Sequence, residues 1–218
     1  MKTSVCIFLF FIGVVFARTP QQSNHYVDLV LRSNLPREAR NWNVDPARLN
    51  NFTTQHKDKL GGIKVNVNVE YYNVNMTGLL KVRREKDCSG LRRDFGNVTL
   101  NCTLVFNGVK IHYNVKAKYG KLPKANGKVT AELSGDTAFA VFTTSINRNY
   151  PVMKAFYFTR RGSPKVRVSG FGPLNDTGKK LIHNDIYVHA QNEFLNVVNY
   201  NFVPALKRAA SQSPMPAM

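Results

Sequence analysis

The chain has 218 residues, 43% of them hydrophobic, and lysine plus arginine outnumber aspartate plus glutamate 31 to 13, a formal net charge of +18. That length fits one domain, and beyond the first seventeen residues no stretch is apolar for long enough to span a bilayer. So large a positive excess draws anionic partners: lipid head groups, bacterial envelope lipids such as lipopolysaccharide, sulfated glycans and, least favoured, nucleic acid.

Residues 1–17 read as a secretory signal peptide. Lys2 precedes an apolar run from Val5 to Phe16, and Ala17, with Val15 two positions before it, marks the cleavage site. The expected organisation is a signal at 1–17, one domain at 18–210 and a disordered tail at 211–218. Removing the signal takes Cys6 with it and leaves Cys88 and Cys102. In an oxidising compartment the expected state is a disulfide, with two buried thiols as the alternative. Five N-x-S/T sequons, at Asn51, Asn75, Asn97, Asn101 and Asn175, are candidate glycosylation sites.

The first element is a short helix from Asn24 to about Leu35. Tyr26, Val27, Val30 and Leu31 recur at helical spacing, Asn24 is placed to cap, and Pro36 ends or bends it. The pattern then weakens to Leu60, with a turn at Asp45-Pro46. From Ile63 the period becomes two: Ile63, Val65, Val67, Val69 and Tyr71 alternate with Lys64, Asn66, Asn68 and Glu70. At Tyr71-Tyr72 the parity flips to Val74 and Met76, which predicts a β-bulge.

Val98, Leu100, Cys102 and Leu104 form the dry face of the next strand, and Asn107-Gly108 reads as a two-residue hairpin turn. Val109, Ile111, Tyr113, Val115, Ala117 and Tyr119 then alternate with Lys110, His112, Asn114, Lys116 and Lys118. Asn75, Asn97 and Asn101 fall on the polar parity of their strands, where glycans can face water. Further strands are expected at Lys128–Ser134, Ala138–Thr144, Lys154–Thr159 and Lys165–Ser169 in an antiparallel meander. After Gly170, Gly172 and Pro173 the period changes again. Leu181, Ile182, Ile186, Ala190, Phe194, Val197, Val198, Phe202 and Leu206 mark one long amphipathic helix, with Pro204 as a possible kink. The fold class is therefore α+β: a long, strongly curved antiparallel sheet wrapped around a long C-terminal helix, with a short N-terminal helix.

Chemistry is harder to find. The sequence holds no G-x-S-x-G, no H-E-x-x-H and no P-loop. Its histidines are scattered, no pair of carboxylates invites acid–base work, and no cofactor or metal site is expected. Basic clusters stand out instead: Lys81, Arg83, Arg84 and Lys86; the stripe Lys110, Lys116 and Lys118, extended by Lys121, Lys124 and Lys128; and Arg160, Arg161, Lys165 and Arg167. Lys110, Lys116, Lys118, Lys121, Arg83 and Arg84 are the candidates for an anionic partner. The dry faces offer Val67, Val69, Tyr71, Tyr113, Val115, Phe139, Phe156, Phe158, Phe194 and Val198 as candidates to line an apolar pocket, with an ordinary packed core as the alternative.

The run from Tyr113 through Lys116, Lys118, Gly120, Leu122 and Pro123 to Gly127 resembles a hairpin of the tubular lipid-binding superfamily. The segment Val168-Ser169-Gly170-Phe171-Gly172-Pro173-Leu174-Asn175, leading into a long helix, is similar to its arthropod members, the group 7 mite allergens and the juvenile hormone-binding proteins. The vertebrate relative is the bactericidal/permeability-increasing protein. The resemblance covers roughly residues 63–208. It implies a super-rolled sheet around a long helix that holds a lipid or another hydrophobic small molecule, and no enzyme. The strong basicity departs from the mite allergens and leans toward an anionic amphiphile whose head group meets the lysines. The alternative is a surface-acting protein that binds heparin-like glycans or bacterial envelopes by charge, with nothing inside. A lipocalin-like barrel lacks its G-x-W signature, since Trp42 follows Arg40 and Asn41.

Overall fold

The computed structural model describes residues 20–60, 62–147, 150–171 and 176–216. The expected signal peptide and the sequon at Asn175 lie outside them. The N-terminal helix is longer than its sequence pattern. It runs as α1 (Pro20–Leu29), a π-helical turn (Val30–Asn34) and α2 (Leu35–Asn41). Asn24 is inside α1 rather than at its cap. Its side chain accepts from the Cys88 amide at 2.8 Å and donates to Asp87 at 2.8 Å. Pro36 does not end the helix, because the π turn before it shifts the carbonyl its ring would strike.

Four strands escaped the sequence reading, and the first two of them are β1 (Ala47–Arg48) and β2 (Phe52–Leu60). Strand β3 (Ile63–Thr77) carries the expected bulge, slightly later than the Tyr71-Tyr72 step. Tyr72 faces Asn114 and Asn75 faces His112, so β3 advances three residues where its partner advances two, with Asn73 at φ 50°. Short β4 (Arg83–Arg84) and β5 (Arg92–Asp94) follow. A Cys88–Cys102 disulfide ties the loop between them to the next strand.

That strand, β6 (Asn97–Phe106), corrects the hairpin expected at Asn107-Gly108. The chain does not turn back there. It continues into β7 (Val109–Tyr119), and the reversal comes only at residues 120–124, before β8 (Ala125–Leu133) and β9 (Asp136–Ser145). Lys116 faces Asn126, Val109 faces Leu133, Phe106 faces Asp136 and Asn97 faces Ser145, so one register holds from end to end. Both strands bend at one level. Gly108 (φ 70°) donates to Ser134 Oγ, and Gly135 (φ 82°) donates to the Phe106 carbonyl and to Asn107 Oδ1. Asn-Gly allows positive φ, but here that freedom makes a bend between sheets.

The ribbon thus enters two antiparallel sheets. A six-stranded sheet is ordered β3, β7, β8, β11 (Lys165–Ser169), with β1 and β2 both on the free edge of β3. A five-stranded sheet is ordered β10 (Val152–Arg160), β9, β6, with β4 and β5 both on β6. The C-terminal helix runs as α3 (Asp176–Val197), a π turn (Val198–Phe202) and α4 (Val203–Ala210), with Pro204 placed after the π turn as Pro36 is in the N-terminal helix. Helix α3 touches β2 at one edge of the six-stranded sheet and β8 and β11 at the other, while α4 packs on β10 and α2. Ile182, Ile186, Ala190, Phe194 and Phe202 are wholly buried; each large one stabilises the fold by about 1.5–3 kcal/mol.

The residues after Ser211 were expected to lack order. Through Met215 they pack instead, because Met215 and Ser213 are buried and Asn34 donates to both Ser213 Oγ and the Ala209 carbonyl. Tyr26 hydroxyl donates to the Ala210 carbonyl nearby, joining the two helical ends.

Candidate functional site

The inner face of the six-stranded sheet is a dry floor of Val67, Val69, Tyr71, Tyr113 and Val115, all 0–1% exposed, and α3 covers it. The α3 residues over it, Ile182, Ile186 and Ala190, recur every four residues, so one stripe of the helix meets the floor. Phe171 closes one end. Its ring lies where a Cβ on Gly127 would come within 2.3 Å of it, so glycine at 127 is what admits the ring. A second apolar group sits at the bend toward the five-stranded sheet. Phe158 and Phe194 lie 5.7 Å apart around Phe106, Phe156 meets Phe202, and Val198 is buried beside them. The pocket candidates therefore fall into two groups, with one exception. Phe139 is on the opposite face of β9, tilted against the half-exposed Tyr157 at 5.4 Å.

Where α3 meets β2 the contact is polar. Asp185 Oδ2 accepts from Thr54 Oγ1 at 2.7 Å, from His56 Nε2 at 2.8 Å and from the Tyr71 hydroxyl at 2.9 Å. One turn on, His189 stacks on Phe52 with ring centroids 3.8 Å apart, and Phe52 stacks in turn on Tyr71 at 4.3 Å. The Tyr113 hydroxyl lies 3.3 Å from His189 Nδ1. Burial pulls the His189 pKa down to about 4, so the ring is neutral in this setting. Burial, reinforced by the Asp185 charge, pushes the Tyr71 phenol far up, and burial does the same to Tyr113; both remain hydroxyl donors.

This polar closure was missed because the inward row of β2 reads Phe52, Thr54, His56, Asp58. A strand whose inner face is polar gives no period-two signal. The pairing of each of those residues with a β3 residue is what reveals it.

The outer face of the same sheet is cationic. Lys110, Lys116 and Lys118 project from β7, Lys128 from β8 and Arg167 from β11, with Glu70 and Glu132 as the acids among them. Lys116 Nζ stands 4.4 Å over the Tyr72 ring. Lys121 is exposed in the turn beyond β7. The two arginine candidates behave differently. Arg83 is exposed, but Arg84 is clamped to Asp28 by two bonds of 2.8 Å, and that guanidinium holds the Asp28 carboxyl below its usual range. Arg84 is thus a structural residue. Among the sequons, Asn51 and Asn97 are exposed, and Asn75 and Asn101 half-buried on outer faces. At the far end of the five-stranded sheet, Phe95 is 99% exposed in a turn at φ 41°, near Ile146, whose amide donates to Gly96.

No protein-family model matches the chain, and no curated protein matches it in sequence. Among solved structures, lipopolysaccharide binding protein superposes with a TM-score of 0.55 at 15% identity, over 90% of this chain. The two share a fold. This chain spans 39% of the length of that protein. Takeout 1 of Epiphyas postvittana aligns at a TM-score of 0.44 and 12% identity, over 89% of this chain and 92% of its own. Among the described residues, no helix is long and apolar enough to cross a membrane.

Proposed function

We propose that the protein is a secreted binding protein for lipids or other amphipathic ligands with anionic head groups. The observation that carries this is the dry floor under α3. The free edges of the six-stranded sheet close on a helix and not on each other, so side chains alone hold that boundary shut. Parting α3 from β2 or β11 opens apolar surface without breaking a strand ladder, which would cost one backbone hydrogen bond after another. An acyl chain entering there would lie along Val67, Val69, Val115, Ile182 and Ile186 while its head group stayed among the lysines. The shared fold with a protein named for binding lipopolysaccharide supports this reading. The tubular lipid-binding resemblance and the leader-like N-terminus point the same way.

The test is lipid extraction and mass spectrometry of protein secreted from eukaryotic cells, followed by titration with a fluorescent fatty acid. Copurifying lipid, or saturable uptake that Ala190→Trp abolishes by filling the floor, is expected. A protein that carries no lipid and takes up no acyl probe refutes the proposal.

A further inference from the structure

Two shallow clefts adjoin on the outer face of the six-stranded sheet. One, of about 330 Å³, includes Gln55, Asn68, Glu70, Lys116, Lys118 and Lys124 in its wall. The other, of about 710 Å³, is lined by Gln55, His56, Lys57, Asn66 and Asn68. They share Gln55 and Asn68, so together they form one trough across β2, β3 and β7. Register shows how it is built. Gln55 faces Asn68, which faces Lys118, and Thr53 faces Glu70, which faces Lys116. Neighbouring strands are about 4.8 Å apart and alternate residues about 6.8 Å apart along a strand. The floor is thus a lattice of primary amides with ammonium groups on two sides.

We infer that this trough binds a linear sulfated glycan. The chemistry of the lining selects that class. Amides of Gln55, Asn66 and Asn68 offer both donors and acceptors to hydroxyl groups, and lysines offer mobile point charges to sulfates. Among the described residues, Lys57, Lys116, Lys118, Lys124 and Lys128 form no ion pair within 4.0 Å, and of them Lys116 alone engages a ring, that of Tyr72. A bilayer is a poorer fit, since the exposed apolar side chains of this sheet, Ile63 and Leu122, stand at its end and do not line the trough, and the exposed Phe95 is on the other sheet. A nucleic acid strand needs stacking platforms, and the aromatic ring on this face, Tyr72, is already covered by Lys116.

The interior proposed for lipid is on the opposite side of the sheet, so this surface works whether or not the protein carries a ligand inside. The test uses the full secreted chain and immobilised heparin, with fully desulfated heparin and phosphatidylserine vesicles as competitors. Triple replacement Lys116→Gln, Lys118→Gln, Lys124→Gln is compared with Arg92→Gln, Arg93→Gln, Lys154→Gln, which removes the same charge from exposed positions of the five-stranded sheet. The first triple is expected to weaken heparin binding about tenfold or more near physiological salt, and the second by about twofold, because contact charges and not net charge set the salt-sensitive term. Thermal melting of both variants checks that each is folded, and Lys118→Gln alone, weakening binding about threefold, stands in should the triple melt early. Equal losses in the two triples, competition by desulfated heparin as strong as by heparin, or displacement by vesicles alone overturns the assignment. Loss of lipid uptake with heparin binding intact would sink the interior reading and leave this one standing.

Discussion

His189 should make the protein lose stability on acidification, and the amount follows from its surroundings. Its ring is sandwiched against Phe52 and faces the Tyr113 hydroxyl from β7. The Tyr71 hydroxyl is one ring further away, and Asp185 and Glu193 flank it on α3, the latter at 4.0 Å from Nε2. Burial lowers its pKa from 6.5 to about 4. The unfolded chain therefore binds the proton first as pH falls. Stability from this group is fully present above the unfolded value and is lost as pH drops toward the folded one. Integrated from about pH 7 to about pH 4.5, the loss is about 2 kcal/mol. The assay is urea unfolding across that range for the wild type and His189→Gln. The variant gives up the stack on Phe52 and should be less stable at neutral pH by about 1 kcal/mol. Its pH dependence should be shallower, so the gap closes and reverses on acidification. Asp28, clamped by Arg84, contributes acid sensitivity to both proteins alike and cancels in the comparison. A gap that stays constant from neutral to acid refutes the argument.

Three further outcomes are expected. Gly127→Ala puts a methyl group 2.3 Å from the Phe171 ring and should cost about 1–3 kcal/mol, read as a fall in melting temperature. Adding Phe171→Leu should recover part of the loss, a coupling visible in a double-mutant cycle. Cys102→Ser opens a loop of sequence separation 14 and should lower stability by about 3 kcal/mol, with reduction of the wild type giving a matching shift in calorimetry. Arg84→Ala leaves Asp28 without its clamp and should destabilise by about 1–2 kcal/mol at neutral pH, with little effect once Asp28 is protonated, checked by unfolding at two pH values.

Much of the sheet was legible because one of its faces is dry. The rows at Val67 and Val115 and the α3 stripe at Ile182 and Ile186 gave strand, helix and core in one reading. What escaped shares a physical cause. Strand β2 hides because its inner row is polar, with Thr54 and His56 meeting the helix through hydrogen bonds to Asp185 instead of through apolar area. Asn107-Gly108 misled because positive φ is needed equally for a reversal and for a bend, and only the partner strand decides between them. Pro36 reads as an end or a bend and Pro204 as a kink, yet a wider turn just upstream accommodates both. The site was half legible. Parity placed the lysines together with Asn66 and Asn68 on the outer face, whereas Gln55 beside them, and the Asp185 closure on the other side, depend on β2, which lies outside the visible pattern.

The unbroken register of the ribbon from Asn97 to Ser145 has a consequence for how the molecule can come apart and change. Two sheets that share the same pair of strands have no boundary along which one can melt while the other persists. Hydrogen exchange in the cores of the two should report a single opening free energy. The same linkage constrains inheritance. A one-residue insertion in the turn at 120–124 lengthens a loop. Inserted beside Gly108, it would displace every pair in one sheet relative to the other, so length variation belongs at the tip and the bend keeps its spacing.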